Sequence, residues 1–493
     1  METTDLTPAE RRVWEAFPLG ETVDFRADGE DDSRPGTSCG PERTLRATVL
    51  RALLLDGPLQ EGEIPALKVL GAHIAGRLDL RYATVEHAVR LRHCLFESAP
   101  ALYGAQFRTL VLSHSVLPGL TAGTLRVDGA LRMTGCRVTG RVRLGGAHVA
   151  GAVFLDGAHL EPPVTPDPDE PLEPLLQLNQ ALIGHDIVAR GLVCHGRIQL
   201  NGATVDGEVN FDDARLLAPG HTALHAENLT VGTDLRGMRL RAEGRLNLRG
   251  ARIPRHLNLA YCRLSHPGGQ ALRASSATIG ELWLREAAPI EGALNLRGAQ
   301  LDLLHIAPEV WPDRVRIDGL SYRSLTPHLP AERRLPLLEH EEGGYLPYAY
   351  EQLTTAYRTA GDDAAARTVQ LAKLRRHRRT LPRHARLWGH LQDLTVGYGF
   401  RPMRAAGWLL ALLLTGALAF ALHHPHALKL DEAPDFNPLF YTVDLLLPII
   451  GFGQEEAFAP EGWYQWLSYT LIVTGWILAT TIAAGVTRSL SRQ

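Results

Sequence analysis

Lysine is scarce in this 493-residue chain, and cysteine is sparse and scattered. Lysine accounts for only three of the 51 basic residues, and 54 acidic residues balance them, so the chain lacks the basic excess of proteins that coat nucleic acid. The five cysteines form no C-x-x-C pair, which argues against a disulfide framework and a structural zinc site. They are Cys39, Cys94, Cys136, Cys194 and Cys262. The first residues also lack the pattern of a signal peptide, so we expect most of the chain to lie in the cytosol.

Several motifs of common enzyme classes are missing too. The chain contains no H-E-x-x-H and no G-x-x-x-x-G-K-[ST], the patterns of zinc peptidases and phosphate-binding loops. The segment Gly451-Phe-Gly453-Gln-Glu-Glu456 departs from the dinucleotide-binding G-x-G-x-x-G at its last position. From the residues alone we predict no catalytic residue, no cofactor and no metal ligand.

One phrase recurs from about Leu67 to Leu301: a glycine, apolar residues alternating with polar ones, and then a small residue. Examples are Gly76-Arg-Leu78-Asp-Leu80-Arg-Tyr-Ala83, Gly140-Arg-Val142-Arg-Leu144-Gly-Gly-Ala147 and Gly196-Arg-Ile198-Gln-Leu200-Asn-Gly-Ala203. Equivalent apolar residues stand eleven apart, as Leu80 and Leu91 do. Alternation in pieces of three to five residues is typical of short strands rather than helices.

Strands this short bury their apolar side only when identical coils stack on one another, as in a β-solenoid. The small position then faces the narrow interior; it holds Ala83, Cys94, Cys136, Ala147, Ala158, Ala203 and Cys262. These residues resemble the pentapeptide-repeat proteins, and the resemblance implies a right-handed β-solenoid with a square cross-section. We therefore predict a mainly β fold over residues 64–325. Two phrases per coil give about eleven coils, a rod of roughly 50 Å at the usual strand spacing.

Helical segments flank the repeat. Residues 1–63 should form an N-terminal cap, in which Thr7 and Glu10 make a capping box and a second helix runs from Glu42 to Leu55. Residues 326–400 should form a helical hairpin, Tyr348 to Ala360 and Ala364 to Arg379, followed by a basic segment. The proline-rich run 161–171 interrupts the repeat as a solvated loop.

The basic segment holds the strongest positive run of the chain, namely Arg375, Arg376, Arg378, Arg379, Arg383 and Arg386. Because it lies shortly before a long uncharged segment, attraction to lipid headgroups explains it better than binding to nucleic acid. We predict that these arginines lie at a membrane surface.

We predict that residues 401–493 form a membrane module. The uncharged segments 405–422 and 466–486 are each long enough to cross a bilayer as a helix. Nine basic residues and one acid lie between Lys373 and Arg404, whereas the loop between the segments holds one lysine and seven acids. By the positive-inside rule, we expect a multi-pass protein of the cell membrane with both termini in the cytoplasm.

A third apolar segment, 439–453, is too short to span and fits a re-entrant helix, or equally an interfacial helix with Asp444 in water. The layout resembles the pore module of two-helix potassium channels, in which glycine-flanked backbone carbonyls line a filter. The resemblance implies a homo-oligomeric pore, with candidate residues Asp444, Ile449, Ile450, Gly451, Phe452 and Gly453. Asp444 is a candidate in its own right, because an ionisable group at membrane depth often carries function.

The complete layout, together with the phrase Gly397-Tyr-Gly-Phe-Arg-Pro402, is similar to a bacterial family whose members are labelled "membrane-associated oxidoreductase". The resemblance implies redox activity. The residues themselves show no dinucleotide fingerprint and no reactive C-x-x-C pair.

Three functional hypotheses remain open at this point. The first is a membrane-tethered scaffold that presents side chains to a cytosolic protein partner. The second is a pore gated by the solenoid, and the third is the oxidoreductase. Mimicry of DNA requires an acidic face, but residues 64–320 hold 27 basic and 25 acidic residues, which disfavours nucleic-acid-related roles.

Overall fold

A computed structural model describes residues 5–26, 40–163, 173–382, 402–429, 434–447 and 451–490, without the side chains of residues 402, 403, 405 and 481–490. The chain divides into two compact units, Met1–Gly361 and Asp362–Gln493. The domain boundaries expected from the sequence stay predictions.

The predicted β-solenoid of about eleven turns is confirmed in the first unit. Its strands form one sheet of 18 and one of 16 strands, and the strand pairs in both sheets are parallel. Strands β1 to β12 are Thr22–Asp24, Thr44–Arg46, Ala66–Leu70, His73–Ala75, Thr84–Arg92, Leu95–Phe96, Gln106–Val111, Val116–Leu117, Leu120–Thr121, Arg126–Val127, Leu131–Arg132 and Arg137–Val138. Strands β13 to β23 are Val142–Arg143, His148–Val149, Val153–Phe154, His159–Leu160, Leu176–Gln177, Leu182–Ile183, Ile187–Val188, Val193–Cys194, Ile198–Gln199, Thr204–Val205 and Val209–Asn210. Strands β24 to β34 are Arg215–His225, Thr230–Val231, Leu235–Arg236, Arg241–Asn247, Arg252–Asn258, Arg263–Arg273, Thr278–Leu284, Glu291–Asn295, Gln300–Ile306, Arg314–Arg316 and Ser321–Thr326.

Each regular coil has four sides, formed by strands such as β10, β11, β12 and β13. Arg126 of one coil pairs with His148 of the next, so one coil takes 22 residues, which is twice the predicted repeat. In the C-terminal half, strands such as β27 and β29 are longer and contain register shifts.

The interior consists of columns of apolar side chains stacked in register. Val127, Val149, Ile183 and Val205 follow one another along one side, and each is at most 2% exposed. At the small position, Cys94, Cys136 and Cys262 are buried as predicted. This continuous packing is the main source of the solenoid's stability.

One residue per half coil adopts a left-handed backbone conformation at the corner before the small position. Glycine fills many of these corners, for example Gly202 with φ +63°, because it has no Cβ to oppose the turn. Other coils use larger residues there, such as Tyr82 with φ +58° and Tyr261 with φ +59°.

The N-terminal cap confirms one prediction and corrects another. Helix α1, Pro8–Ala16, begins with the predicted capping box of Thr7 and Glu10. The predicted helix from Glu42 to Leu55 was wrong in its first turn, because Pro41–Arg43 is a 3-10 turn and Thr44–Arg46 pairs in parallel with His73–Ala75. Helix α2 covers Ala47–Asp56.

The C-terminal end of the solenoid is followed by α3, Ala331–Arg334, a 3-10 segment, Leu335–His340, and α4, Pro347–Thr359. A further 3-10 turn, Pro308–Val310, lies before the last coil. Helix α4 covers most of the first helix of the predicted hairpin.

The second unit begins with α5, Asp363–Thr380, which Asp362 caps by accepting a 2.9 Å hydrogen bond from the Ala365 N–H. Its remaining helices are α6, Pro402–Leu422, α7, Pro438–Leu446, α8, Gln454–Ala457, and α9, Trp463–Leu490. Strands β35, His426–Ala427, and β36, Phe458–Ala459, pair in antiparallel fashion.

Candidate functional site

Asp444 lies on the last turn of α7 and is 5% exposed. Its Oδ1 accepts a 2.7 Å hydrogen bond from the Phe452 backbone N–H, and its Oδ2 accepts one of 2.9 Å from that of Gln454. The Glu455 N–H also points to Oδ2, at 3.4 Å. The carboxylate therefore binds the first two N–H groups of α8, which have no partner inside that helix, as well as the Phe452 N–H just before it. This contact folds the chain after Gly451 back onto α7.

A second set of contacts closes the same loop. Gln454 Nε2 donates to the Asp435 carbonyl at 3.1 Å, and its Oε1 accepts from the Asn437 N–H at 3.2 Å. The Asn437 side chain in turn caps α7 by accepting from the Leu439 and Phe440 N–H groups. The sequence analysis did not recognise Asn437, although an asparagine before a proline is a common start of a helix.

The structure brings three of the predicted pore residues together. Asp444 contacts the backbone of Phe452, and Gly453 adopts φ +78° at the start of α8. Gly451 and Phe452 are exposed. Ile449 and Ile450 lie outside the described residues, and the pore role of the whole set stays a prediction.

Two glycines allow α6, α7 and α9 to pack closely. A Cβ on Gly475 would lie 2.3 Å from the Leu446 carbonyl oxygen, and one on Gly416 would lie 2.4 Å from Thr442 Cγ2. Both distances are shorter than any real contact, so these positions of α9 and α6 have room for no side chain. In the same helical unit Phe420 and Tyr441 form a buried edge-to-face pair whose ring centroids lie 4.9 Å apart.

The outer surfaces of these helices are strongly apolar. Along α6, exposed leucines recur every four residues, at Leu410, Leu414, Leu418 and Leu422. On α9 the exposed apolar side chains are Trp463, Trp466, Tyr469, Val473, Trp476 and Ile477. A surface of this composition commonly marks a protein or membrane contact.

The predicted spans 405–422 and 466–486 fall within α6 and α9. Measured over the described residues, no helix combines the length and the apolarity that crossing a bilayer requires.

Four of the predicted membrane-surface arginines, Arg375, Arg376, Arg378 and Arg379, lie in the C-terminal half of α5. The other two, Arg383 and Arg386, lie outside the described residues, as does most of the phrase Gly397-Tyr-Gly-Phe-Arg-Pro402.

The solenoid carries a row of arginines on one side. Arg215, Arg241 and Arg263 occupy the same position of three successive coils, paired in register on β24, β27 and β29. All three side chains are exposed, and within the described part of the chain none makes an ion pair. Glu243, two residues beyond Arg241, is the nearest acid of the same strand. We call these three residues the arginine row.

The thiols of the solenoid are poorly suited to redox chemistry. Burial raises the pKa of Cys94, Cys136, Cys194 and Cys262 to about 12, whereas reactive thiols have low pKa values. No group of three potential metal ligands occurs among the described residues. Residues 36–40, Gly-Thr-Ser-Cys-Gly, match the G-x-S-x-G pattern of nucleophilic serines in hydrolases, and only Gly40 of this segment lies within the described residues. The oxidoreductase label thus rests on the family resemblance alone.

A cavity of about 210 Å³ lies at the C-terminal end of the solenoid, between the last strand and α4. Arg334, 4% exposed, faces it and donates hydrogen bonds to the carbonyls of Pro327, at 2.6 Å, and Ile306, at 3.3 Å. Sequence reasoning missed this site, because Arg333 and Arg334 look alike in the sequence and only the fold buries the second.

Comparison with known proteins gives no relative: no family model, no curated protein and no solved structure matches the chain. The site geometry and the sequence therefore carry the functional argument.

Proposed function

We propose that this protein is a membrane-attached scaffold whose solenoid binds an acidic segment of a protein partner through the arginine row. The observation that carries the proposal is the register of Arg215, Arg241 and Arg263 on successive coils. Neighbouring coils in a β-solenoid are separated by about 4.8 Å, so three positive charges stand in a line.

Like charges directly opposite one another destabilise a sheet by a few tenths of a kcal/mol to about 1 kcal/mol per pair. The row therefore opposes folding slightly, and a partner with carboxylates at matching spacing would relieve the repulsion. Arginine suits this role because its planar guanidinium binds a carboxylate through two parallel hydrogen bonds.

Site-specific photo-crosslinking in cells tests the scaffold function. A photoreactive phenylalanine analogue replaces Tyr261, an exposed corner residue next to Arg263, and in a matched control replaces Tyr82, which has the same backbone conformation on the opposite corner. We expect one discrete adduct from position 261 and none from position 82. Arg241→Glu should abolish the adduct, whereas Arg252→Glu, on the other sheet, should leave it intact. Adducts that do not depend on Arg241 would contradict the proposal.

We further propose that the second unit attaches the solenoid to the cell membrane, with the solenoid on the cytoplasmic side. The exposed leucines of α6, the aromatic residues of α9 and the basic end of α5 support this proposal, because apolar surface, interfacial aromatics and basic clusters all favour lipid. The protein should stay with the membrane fraction after carbonate washing. Paired Leu414→Glu and Leu418→Glu substitutions should release part of it, and full release of the unmodified protein would refute attachment.

A pore is the second candidate function. It is supported by the way Asp444 holds the backbone at Phe452 and Gln454, since a re-entrant loop needs such fixed contacts. This hypothesis requires a tetramer in detergent and ion flux in liposomes. A monomer or dimer without flux would eliminate the pore and leave the scaffold unaffected.

A further inference from the structure

Arg334 is the only lysine or arginine among the described residues that is buried. Buried charges are normally paired, because an uncompensated charge loses its hydration. Four carboxylates are buried among the described residues. Glu10 pairs with Arg46 and Asp212 with Arg236, whereas Glu341 and Asp444 accept hydrogen bonds from backbone N–H groups. Arg334 is the buried cation without an ion pair: no described carboxylate lies within ion-pairing distance of its guanidinium.

The two carbonyl contacts of Arg334, together with a side-chain hydrogen bond to Tyr357, use only part of its hydrogen-bonding capacity. A guanidinium has five N–H donors, and the bonds to Ile306, Pro327 and Tyr357 leave donors for an acceptor in the cavity. Burial lowers the pKa of Arg334 below its usual value, yet an arginine remains charged at neutral pH. The cavity therefore offers a buried, positively charged donor to a ligand of opposite charge.

The remaining lining of the cavity is mainly apolar. Its apolar side chains include Pro327, Leu329, Leu353 and Ala356, and Ser324, Thr326, His328 and Thr359 also border it. The Tyr357 hydroxyl, which lines the cavity too, donates to the Leu329 carbonyl. On the other side of Arg334 lies a smaller, apolar cavity of about 40 Å³. An apolar cavity of about 150 Å³ is enough to hold benzene, so 210 Å³ accommodates a ring of that size with one polar group.

We propose that this cavity is a binding site for a small monocarboxylate, whose carboxylate pairs with Arg334 and whose apolar body contacts Leu353 and Ala356. One buried positive charge matches one negative charge, which favours a carboxylate over a phosphate dianion. Arg323 also borders the cavity, but it is exposed and lies 3.5 Å from Asp302, so it supplies no second buried charge.

Calorimetry on the full-length protein in detergent tests the site with benzoate as probe. Benzamide has the same shape without the charge, and inorganic phosphate has charge without the apolar body. We expect benzoate to bind at least about tenfold more tightly than either. Equal binding of benzoate and benzamide, or no measurable binding of benzoate, would overturn the proposal.

Two variants and a control locate the binding. Arg334→Gln should weaken benzoate binding at least about thirtyfold, as loss of one partner of a buried charge pair does. Arg333→Gln, on the same helical turn but exposed and paired with Glu309, should bind as the unmodified protein does. If Arg334→Gln does not fold, Ala356→Leu decides, because it fills the cavity and keeps the guanidinium. Benzoate binding that survives Ala356→Leu, or that is lost equally in Arg333→Gln, would refute the site.

Discussion

The carboxylate of Asp444 accepts a hydrogen bond of 2.7 Å from the backbone N–H of Phe452, eight residues further along the chain. With its second oxygen on the Gln454 N–H, one side chain fixes both sides of Gly453. Asp444, which the sequence analysis names as a candidate intramembrane charge, thus holds the backbone around Gly453 in place within the second unit.

Replacing Asp444 by asparagine tests that role. The variant keeps the shape but loses the charge and one of the two acceptors, so the apparent melting temperature should fall, with a loss of about 1.5–3 kcal/mol in the free energy of unfolding. Thermal unfolding in detergent measures the change. Glu456→Gln removes an exposed charge from α8, the helix that Asp444 caps, and should have no comparable effect.

Helix packing in the second unit can be tested at two glycines. Gly475→Ala places a Cβ against the backbone of Leu446, so α9 must move away from α7, at a cost of about 1–3 kcal/mol. Gly407→Ala, where nothing lies within 4 Å, should instead stabilise α6 by up to about 1 kcal/mol. A lower melting temperature for Gly475→Ala and a higher one for Gly407→Ala would confirm the close packing. Equal changes in the two variants would contradict it.

The N-terminal cap should lose stability in acid because of Glu10. Burial by itself would raise the pKa of this carboxyl, but hydrogen bonds from Arg46 and from the Thr7 N–H outweigh it and lower the pKa from 4.5 to about 2. The lowered pKa stabilises the folded cap above about pH 4.5, and this contribution, about 3 kcal/mol, is lost as the pH falls through 2.

Denaturation of the full-length protein at several pH values checks this prediction. In Glu10→Gln the stability should be lower at neutral pH and should fall less steeply between about pH 4.5 and 2. Part of the decline should remain, because the pKa of Asp79 is also lowered, to about 2. Glu15→Gln, on the exposed side of the same helix, should retain the acid sensitivity of the unmodified protein. An unchanged pH profile in Glu10→Gln would show that another group is responsible.

Thiol labelling addresses the redox hypothesis. Because burial raises the pKa of Cys94, Cys136, Cys194 and Cys262 to about 12, native protein with Cys39→Ser should react with iodoacetamide at pH 8 only after denaturation. Mass spectrometry counts the modified residues. Rapid labelling of any of the four in the folded state would contradict the packing of the solenoid interior.

The solenoid was predictable because its determinants are local and repeated. The spacing of Leu80 and Leu91 recurs in every equivalent pair, so each pair predicts the same coil. Thr7 and Glu10 predict a capping box because both residues of that motif lie within four positions of the chain. The start of α2 was not predictable in this way, because Thr44–Arg46 becomes a strand only by pairing with His73–Ala75.

The cavity illustrates the same limit more strongly. The bond from Arg334 to the Ile306 carbonyl joins residues 28 positions apart, and no local pattern distinguishes Arg334 from Arg333. Burial of the first and exposure of the second follow from how α3 lies on the last coil.

The 22-residue spacing between Arg126 and His148 gives this protein a natural unit of length. Removing one complete coil would shorten the rod by about 4.8 Å and leave every remaining contact in register. Removing eleven residues would bring the strands of one sheet onto those of the other. The distance between the two ends of the solenoid can therefore change only in steps of one coil. The repeat thus sets the length of the solenoid in addition to forming its core.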